Sequence, residues 1–352
     1  VNHTLAFLVV LSAAALLSAL FTPLFGRLGS RWGLVDQPDE RRHHATPTSR
    51  LGGVGLFVGF IGVSLSVFLI EYVFQDSAVP TDARLLRGVL LGTVFVFLVG
   101  LIDDRYQLSP GPQYVAQFIA ALIAIVHTVF IQEVTNPLVG EPQSLPPLVT
   151  FAFTVFWVMG MMNTVNWLDG LDGLAAGVGA IAALLFAVHS YNLALAHAPM
   201  RVSVALFPTA LAGACLGFLP FNFYPARVFM GSAGAMTLGY ALATLSILTP
   251  ARIATALLVM GIPIIDVAWL IFSRWRRGIR PSQAGRDHLH FRLVDRGLSQ
   301  RQIVILYYAF CAFLGGLALI IPSGLYKLLA LLVIGTLMVA ALTWLARTSE
   351  GG

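Results

Sequence analysis

Charge is what this chain has least of. Asp, Glu, Lys and Arg make up 11% of its 352 residues, against about a quarter in a soluble domain, so a soluble domain of any size is excluded. Cysteine is as scarce: Cys215 and Cys311 are the two, and both lie inside apolar runs. That leaves no disulfide framework and no thiolate metal cluster. The sequence shows no low-complexity tract and no basic patch interleaved with aromatics, so the net charge of +5 does not imply nucleic acid. It also shows no internal repeat, which argues against a transporter built from inverted halves. The first apolar run lacks the basic flank of a signal peptide and is longer than that peptide's apolar region. It is read as a membrane span.

What is abundant is apolar sequence, 58% of the chain. Segments long enough to cross about 30 Å of hydrocarbon recur at approximately 4–25, 51–74, 85–102, 113–132, 148–163, 174–196, 203–220, 234–249, 252–272, 303–322 and 326–346. They predict an all-α polytopic membrane protein, a single domain over residues 1–352 with about eleven transmembrane helices. Most of the 21 basic residues fall in alternate connections, leaving Arg84, Arg87, Arg201, Arg252 and Lys327 opposite. The excess of positive charge on cytoplasmic loops then predicts an outside N-terminus and a cytoplasmic C-terminus.

The unusual polar groups fall in the basic loops, at about 26–50, 103–112, 163–173, 221–233 and 273–302. The most informative is NTVNWLDGLDG, Asn163–Gly173, where Asn163, Asn166, Asp169 and Asp172 recur every three residues. That spacing places them on one helix face or around one turn. Mg²⁺ is bound by one or two carboxylates together with substrate phosphate oxygens, which this stretch fits. Asp103 and Asp104 are adjacent at the end of a span. Neighbouring carboxylates repel unless a cation or proton lies between them, so a divalent metal or a general base is expected. The helix C-terminus there disfavours anions, so a plain helix stop explains them poorly.

The first loop carries Asp36, Arg41, Arg42, His43, His44 and Gly52-Gly53; taken alone, it reads as a basic membrane-surface loop. The fourth carries Asn222, Arg227 and the small-residue turn from Gly231 to Gly234, suited to a phosphate at a helix start or to close helix packing. The fifth carries Arg286, Asp287, His288 and His290. The alternating histidines suit a phosphate or nucleotide contact better than a metal, since no cysteine accompanies them. Asp266 is one more intramembrane carboxylate, expected to partner an arginine or asparagine. The outer connections hold nothing comparable, so one site at the cytoplasmic face is the economical expectation.

NTVNWLDGLDGLAAG, IDDR followed by LS and Gln117, RPSQAGRDHLHFRL and the D-x-P-x-x-R-x-x-H loop with its two glycines together resemble the polyprenyl-phosphate N-acetylhexosamine-1-phosphate transferases, and within them the UDP-GlcNAc branch. The resemblance runs from about Leu34 to Gln302. It implies a bacterial inner-membrane enzyme whose active site faces the cytoplasm. Undecaprenyl phosphate would attack the β-phosphorus of a UDP-sugar, releasing UMP. It implies Mg²⁺, with Mn²⁺ as a substitute. Asp103 would be the base or lipid-phosphate activator, with Asp104 beside it. Asp169 and Asp172 would orient nucleotide or metal with Asn163, Asn166 and Asn222, and Asp103 is a further metal candidate. His44, Arg286, His288 and His290 would bind substrate. Membrane lipid and a homodimer complete the expected partners.

One departure stands out. Ser232 occupies the position where the family usually has an aspartate thought to hold the metal. Three outcomes fit: Asp169 or Asp172 carries the metal with more water in its shell, another donor replaces it, or the chain is a low-activity or regulatory homologue. The other motifs are intact, which favours an enzyme. Within the family the alternative is the phospho-MurNAc-pentapeptide transferase of peptidoglycan synthesis, which shares the aspartates.

Overall fold

Glycine, alanine, serine and threonine dominate one helix, α8 (Gly231–Leu248), and that composition sets the architecture of the computed structural model. The structure describes residues 3–37, 47–74, 80–136, 141–197, 202–248, 252–279, 287–321 and 324–349. Within α8, burial is unbroken from Ala233 to Ser246, as expected of a helix apolar on every side at the centre of a bundle. Small side chains let neighbouring backbones approach closely. Helices α2 (Gly53–Phe74), α3 (Pro80–Tyr106), α5 (Pro147–Leu168) and α6 (Leu174–His197) pack around it. Polar anchors fix their heights. Tyr240 donates its hydroxyl proton to the Gly88 carbonyl at 2.9 Å, and Trp157 Nε1 donates to Ser246 Oγ at 3.0 Å.

Around this centre α1 (His3–Arg31) and α7 (Val202–Asn222) pack on each other, and α7 packs on α6. The last helix, α13 (Gly324–Ser349), leaves Leu332, Val333, Leu337 and Trp344 exposed. An apolar face of that size belongs against lipid.

Each of the eleven apolar segments contains a helix among its described residues. Among the described residues nine helices are long and apolar enough to cross a membrane. The ninth segment, expected as one span over 252–272, is instead two helices, α9 (Arg252–Val259) and α10 (Gly261–Arg276), bent by 79°. The fourth segment holds α4 (Pro110–Val126), which has 17 residues and at about 1.5 Å per residue is shorter than the hydrocarbon core.

Three boundaries shape the site. Helix α3 runs on to Tyr106 and α5 to Leu168, so Asp103, Asp104, Asn163 and Asn166 stand on final helical turns rather than in loops. The fifth loop contains a short helix, α11 (Leu289–Asp295), and leads into α12 (Gln300–Ile320). In the first loop β1 (Val35–Asp36) and β2 (Thr48–Ser49) form an antiparallel pair, with Asp36 opposite Thr48.

Candidate active site

The five polar loops meet at one cleft of about 340 Å³, lined by Asp36 and Arg50, by Asp104, by Asn166, Asp169 and Asp172, by Asn222 and Ser232, and by Phe291 and Gln300. Four aspartates and one guanidinium thus face a common space.

The two adjacent aspartates do different work. Asp104 reaches across to the start of α8, where Oδ1 accepts the Ser232 N–H at 2.7 Å and Oδ2 the Ala233 N–H at 3.0 Å. A carboxylate at the end of α3 therefore serves the N-terminus of another helix, where anions are favoured. Gly231 makes this possible. Its φ of +66° suits glycine, and a Cβ there would lie 2.8 Å from both Asp104 oxygens. Asp103 turns the other way. Its Oδ1 accepts from Leu108 N–H at 2.8 Å and Gln113 Nε2 at 2.9 Å, closing the corner between α3 and α4, and it is not among the groups lining the cleft.

The Asp169–Gly173 turn is pinned from several sides. Asn222 accepts the Gly173 N–H and donates to the Val228 carbonyl, both at 3.1 Å. Asp172 Oδ2 accepts the Ala226 N–H at 2.9 Å, and Tyr308 donates its hydroxyl proton to the Gly173 carbonyl at 2.5 Å. Asp169 is the exception. It ends α5 and accepts no side-chain hydrogen bond among the described residues. Burial first, then the charges of Asp172 and Asp104, hold its carboxyl well above the usual carboxylate range.

Asn163 and the histidines lie behind this lining. Asn163 donates to Gln117 Oε1 at 2.6 Å and to the Met159 carbonyl at 2.7 Å, tying α5 to α4. His290 sits under the turn, where a Cβ on Gly170 would come within 2.6 Å of its Nε2. It is 1% exposed, neither ring nitrogen has a hydrogen-bond partner, and burial pushes its pKa down to about 3. His288, also buried, is the N-cap residue of α11. His44 and Arg286 lie outside the described residues.

Sequence reasoning passed over Arg50, which pairs with Asp36 inside the cleft. Its position directly before Leu51-Gly52-Gly53 was the available signal. Asp36 reads from the sequence as part of the basic loop and as the first residue of its D-x-P-x-x-R-x-x-H pattern, and the structure brings it into the cleft. Asp266, expected to meet an arginine or asparagine, meets His288 instead, with Oδ2 3.0 Å from Nδ1.

The donor set fits a hard divalent cation. Three carboxylates, Asp104, Asp169 and Asp172, share one space in which the charges of Asp172 and Asp104 oppose ionisation of Asp169, and Ser232 is part of its wall. Asp104 has both oxygens and Asp172 one oxygen committed to backbone N–H groups, while Asp169 has neither committed among the described residues. Mg²⁺ takes one or two carboxylates and leaves its remaining positions to water and phosphate oxygens.

Comparison with known proteins gives an independent line. Residues 86–250 match the family model described as glycosyl transferase family 4. The chain is 30% identical over 308 residues to the probable undecaprenyl-phosphate N-acetylglucosaminyl 1-phosphate transferase of Bacillus subtilis, covering 86% of this chain and 81% of that protein. It is 33% identical over 327 residues to a decaprenyl-phosphate N-acetylglucosaminephosphotransferase of Mycobacterium tuberculosis, covering 84% and 77%. A phospho-N-acetylmuramoyl-pentapeptide-transferase of Anoxybacillus flavithermus is 30% identical over 303 residues, covering 83% and 89%.

Proposed function

The chain belongs to glycosyl transferase family 4, and we propose that it transfers GlcNAc-1-phosphate from UDP-GlcNAc to undecaprenyl phosphate, starting a lipid-linked cell-envelope glycan. The relatives named for GlcNAc-1-phosphate transfer support the donor and the lipid. The observation that carries the reading is the cleft itself, where carboxylates from α3 and the Asp169–Gly173 turn converge beside Arg50.

In the proposed reaction a terminal phosphate oxygen of the lipid attacks the β-phosphorus of the UDP-sugar. The bond from that phosphorus to the bridging oxygen breaks, and UMP leaves with the electron pair. A phosphate monoester is already largely ionised at neutral pH, its second pKa being about 6, so no base has to create the nucleophile. Positioning and charge neutralisation then dominate. Asp169 is the primary cation ligand, with Asp172 and Asp104 beside it and Ser232 supplying at most a hydroxyl. Mg²⁺, or Mn²⁺ in its place, supplies positive charge to the diphosphate and the leaving phosphate. Arg50 offers a guanidinium to a phosphate oxygen. Asn166 and Asn222 present amides to the nucleotide end, and Asn222 also holds the turn. Asp103 acts through the α3–α4 corner. The arginine-rich loops at this end support a cytoplasmic face of the bacterial inner membrane.

The test is product identity. Full-length protein in lipid nanodiscs is given undecaprenyl phosphate with either UDP-GlcNAc or UDP-MurNAc-pentapeptide, and the lipids are read by mass spectrometry. Undecaprenyl diphosphate-GlcNAc is the expected product. Product from the pentapeptide donor alone would reassign the chain to the pentapeptide transferases, and product from neither would overturn the transferase reading.

A further inference from the structure

Asp266 is a buried carboxylate on α10 that no step above employs. It stands past the 79° bend at Met260, 4% exposed, and both of its oxygens are engaged by the same neighbouring segment. Oδ2 lies 3.0 Å from His288 Nδ1, and Oδ1 accepts the Leu289 N–H at 2.8 Å. One bond fixes an imidazole ring and the other fixes the backbone beside it, at the first turn of α11. An ionised carboxylate only accepts hydrogen bonds, so the ring nitrogen facing it carries the proton and Nε2 is left for another group. The ring is also held by its neighbours. His290 stacks on it at 5.3 Å between centroids and 11° between planes, and Trp167 lies 5.8 Å away.

We propose that Asp266 is a positioning residue, which holds His288 with its proton on Nδ1 and its Nε2 free for substrate. Carboxylates that bind one nitrogen of a working histidine set its tautomer and orientation in this way. What Nε2 then meets rests on the transferase reading: a substrate hydroxyl that donates to it. His290 has a different part. Buried and neutral, it supports the ring from one face. A borderline divalent ion such as Zn²⁺ is the competing occupant, because Asp266, His288 and His290 offer ligand atoms within 4.8 Å of one another. The dyad is favoured because both Asp266 oxygens already have partners in Nδ1 and the Leu289 N–H.

Two measurements test this. The first needs no activity: solid-state ¹⁵N spectra of full-length, histidine-labelled protein in liposomes, with the His288 signals assigned by their loss in His288→Gln. A protonated, strongly hydrogen-bonded Nδ1 that loses its shift in Asp266→Asn is the expected result. A proton on Nε2 with a bare Nδ1, or a signal unchanged in Asp266→Asn, would overturn the proposal. So would one equivalent of Zn²⁺ that survives purification and is lost in His290→Ala. The second is a double-mutant cycle on UMP release. Asp266→Asn and His288→Ala are each expected to lower kcat/KM by roughly 10- to 100-fold, the double variant no further than His288→Ala alone, with part of the loss recovered in Asp266→Glu. Independent, multiplying losses would refute the dyad while the enzyme reading stood. If the unsubstituted protein released no UMP, the enzyme reading would fall and the spectra would still decide the dyad.

Discussion

Asp104 caps the helix in whose first turn Ser232 stands: its Oδ1 accepts the Ser232 N–H at 2.7 Å. A carboxylate from α3 therefore reaches the position where the resemblance leads one to expect an acidic side chain on α8 itself. The helix start keeps a negative partner, and the cleft keeps a carboxylate there, although residue 232 is serine.

Removing that carboxylate has a structural cost as well as a catalytic one. Asp104→Ala leaves the N–H groups of Ser232 and Ala233 without acceptors, and a lost N-cap costs about 0.5–2 kcal/mol. The expected outcome is a lower melting temperature in detergent together with loss of transfer. Asp169→Asn, which breaks no hydrogen bond, is expected to lose transfer with the melting temperature unchanged or raised.

The acid side of the pH profile belongs to Asp169. Its carboxyl is held above the usual range by burial and by Asp172 and Asp104, so the folded protein keeps a proton there that the unfolded chain releases. That contribution to stability is fully present below the ordinary carboxylate range and is lost as pH rises through Asp169's own. A cation competes with the same proton. Raising Mg²⁺ is therefore expected to shift the acid limb of the rate profile to lower pH. Rate profiles of the unsubstituted protein at two Mg²⁺ concentrations check this.

Asn222 is predicted to matter chiefly as a brace. Its amide joins the Gly173 N–H to the Val228 carbonyl, and Asn222→Ala leaves both without that partner. Each buried group left unsatisfied costs about 1–3 kcal/mol. Thermal unfolding is expected to show the loss, and the KM for UDP-GlcNAc should rise as the turn loosens.

Ser232→Asp restores an acidic group on the cleft wall. The N-terminus of α8 favours the added charge, while Asp104, Asp169 and Asp172 oppose it. The expected result is a lower Mg²⁺ concentration at half-maximal rate, with reduced stability when metal is withheld. Mg²⁺ titrations of both proteins, followed by UMP release, distinguish this from a variant that is merely misfolded.

The helices were legible because charge is excluded from hydrocarbon, so eleven apolar segments emerge from composition alone. The break at Met260 carries a local signal that apolarity alone hides: Gly261 and Pro263 follow it, and a proline there removes the N–H that would bond the Val259 carbonyl. α11 is seven residues long, too short for periodicity to show inside an arginine-rich loop. The division of labour between Asp103 and Asp104 was also hidden. Identical neighbours on a helix differ by about 100° of rotation, and only the positions of α4 and α8 decide what each meets. Arg50 was visible as a basic residue, but its place in the cleft depends on the pairing of β1 with β2. The Asp169–Gly173 turn was the clearest signal, because charges beside membrane-length apolar runs need a reason to be there.

The central claim is a cation-dependent sugar-1-phosphate transfer in which Asp169, rather than residue 232, holds the metal. Its most direct test is UMP release by full-length protein from UDP-GlcNAc and undecaprenyl phosphate across a Mg²⁺ titration, with Mn²⁺ binding followed by electron paramagnetic resonance in the same samples. Release that requires the cation, and release and binding that are both lost in Asp169→Asn but kept in Ser232→Ala, is the predicted result. Cation binding retained in Asp169→Asn, or UMP release indifferent to metal, would contradict it.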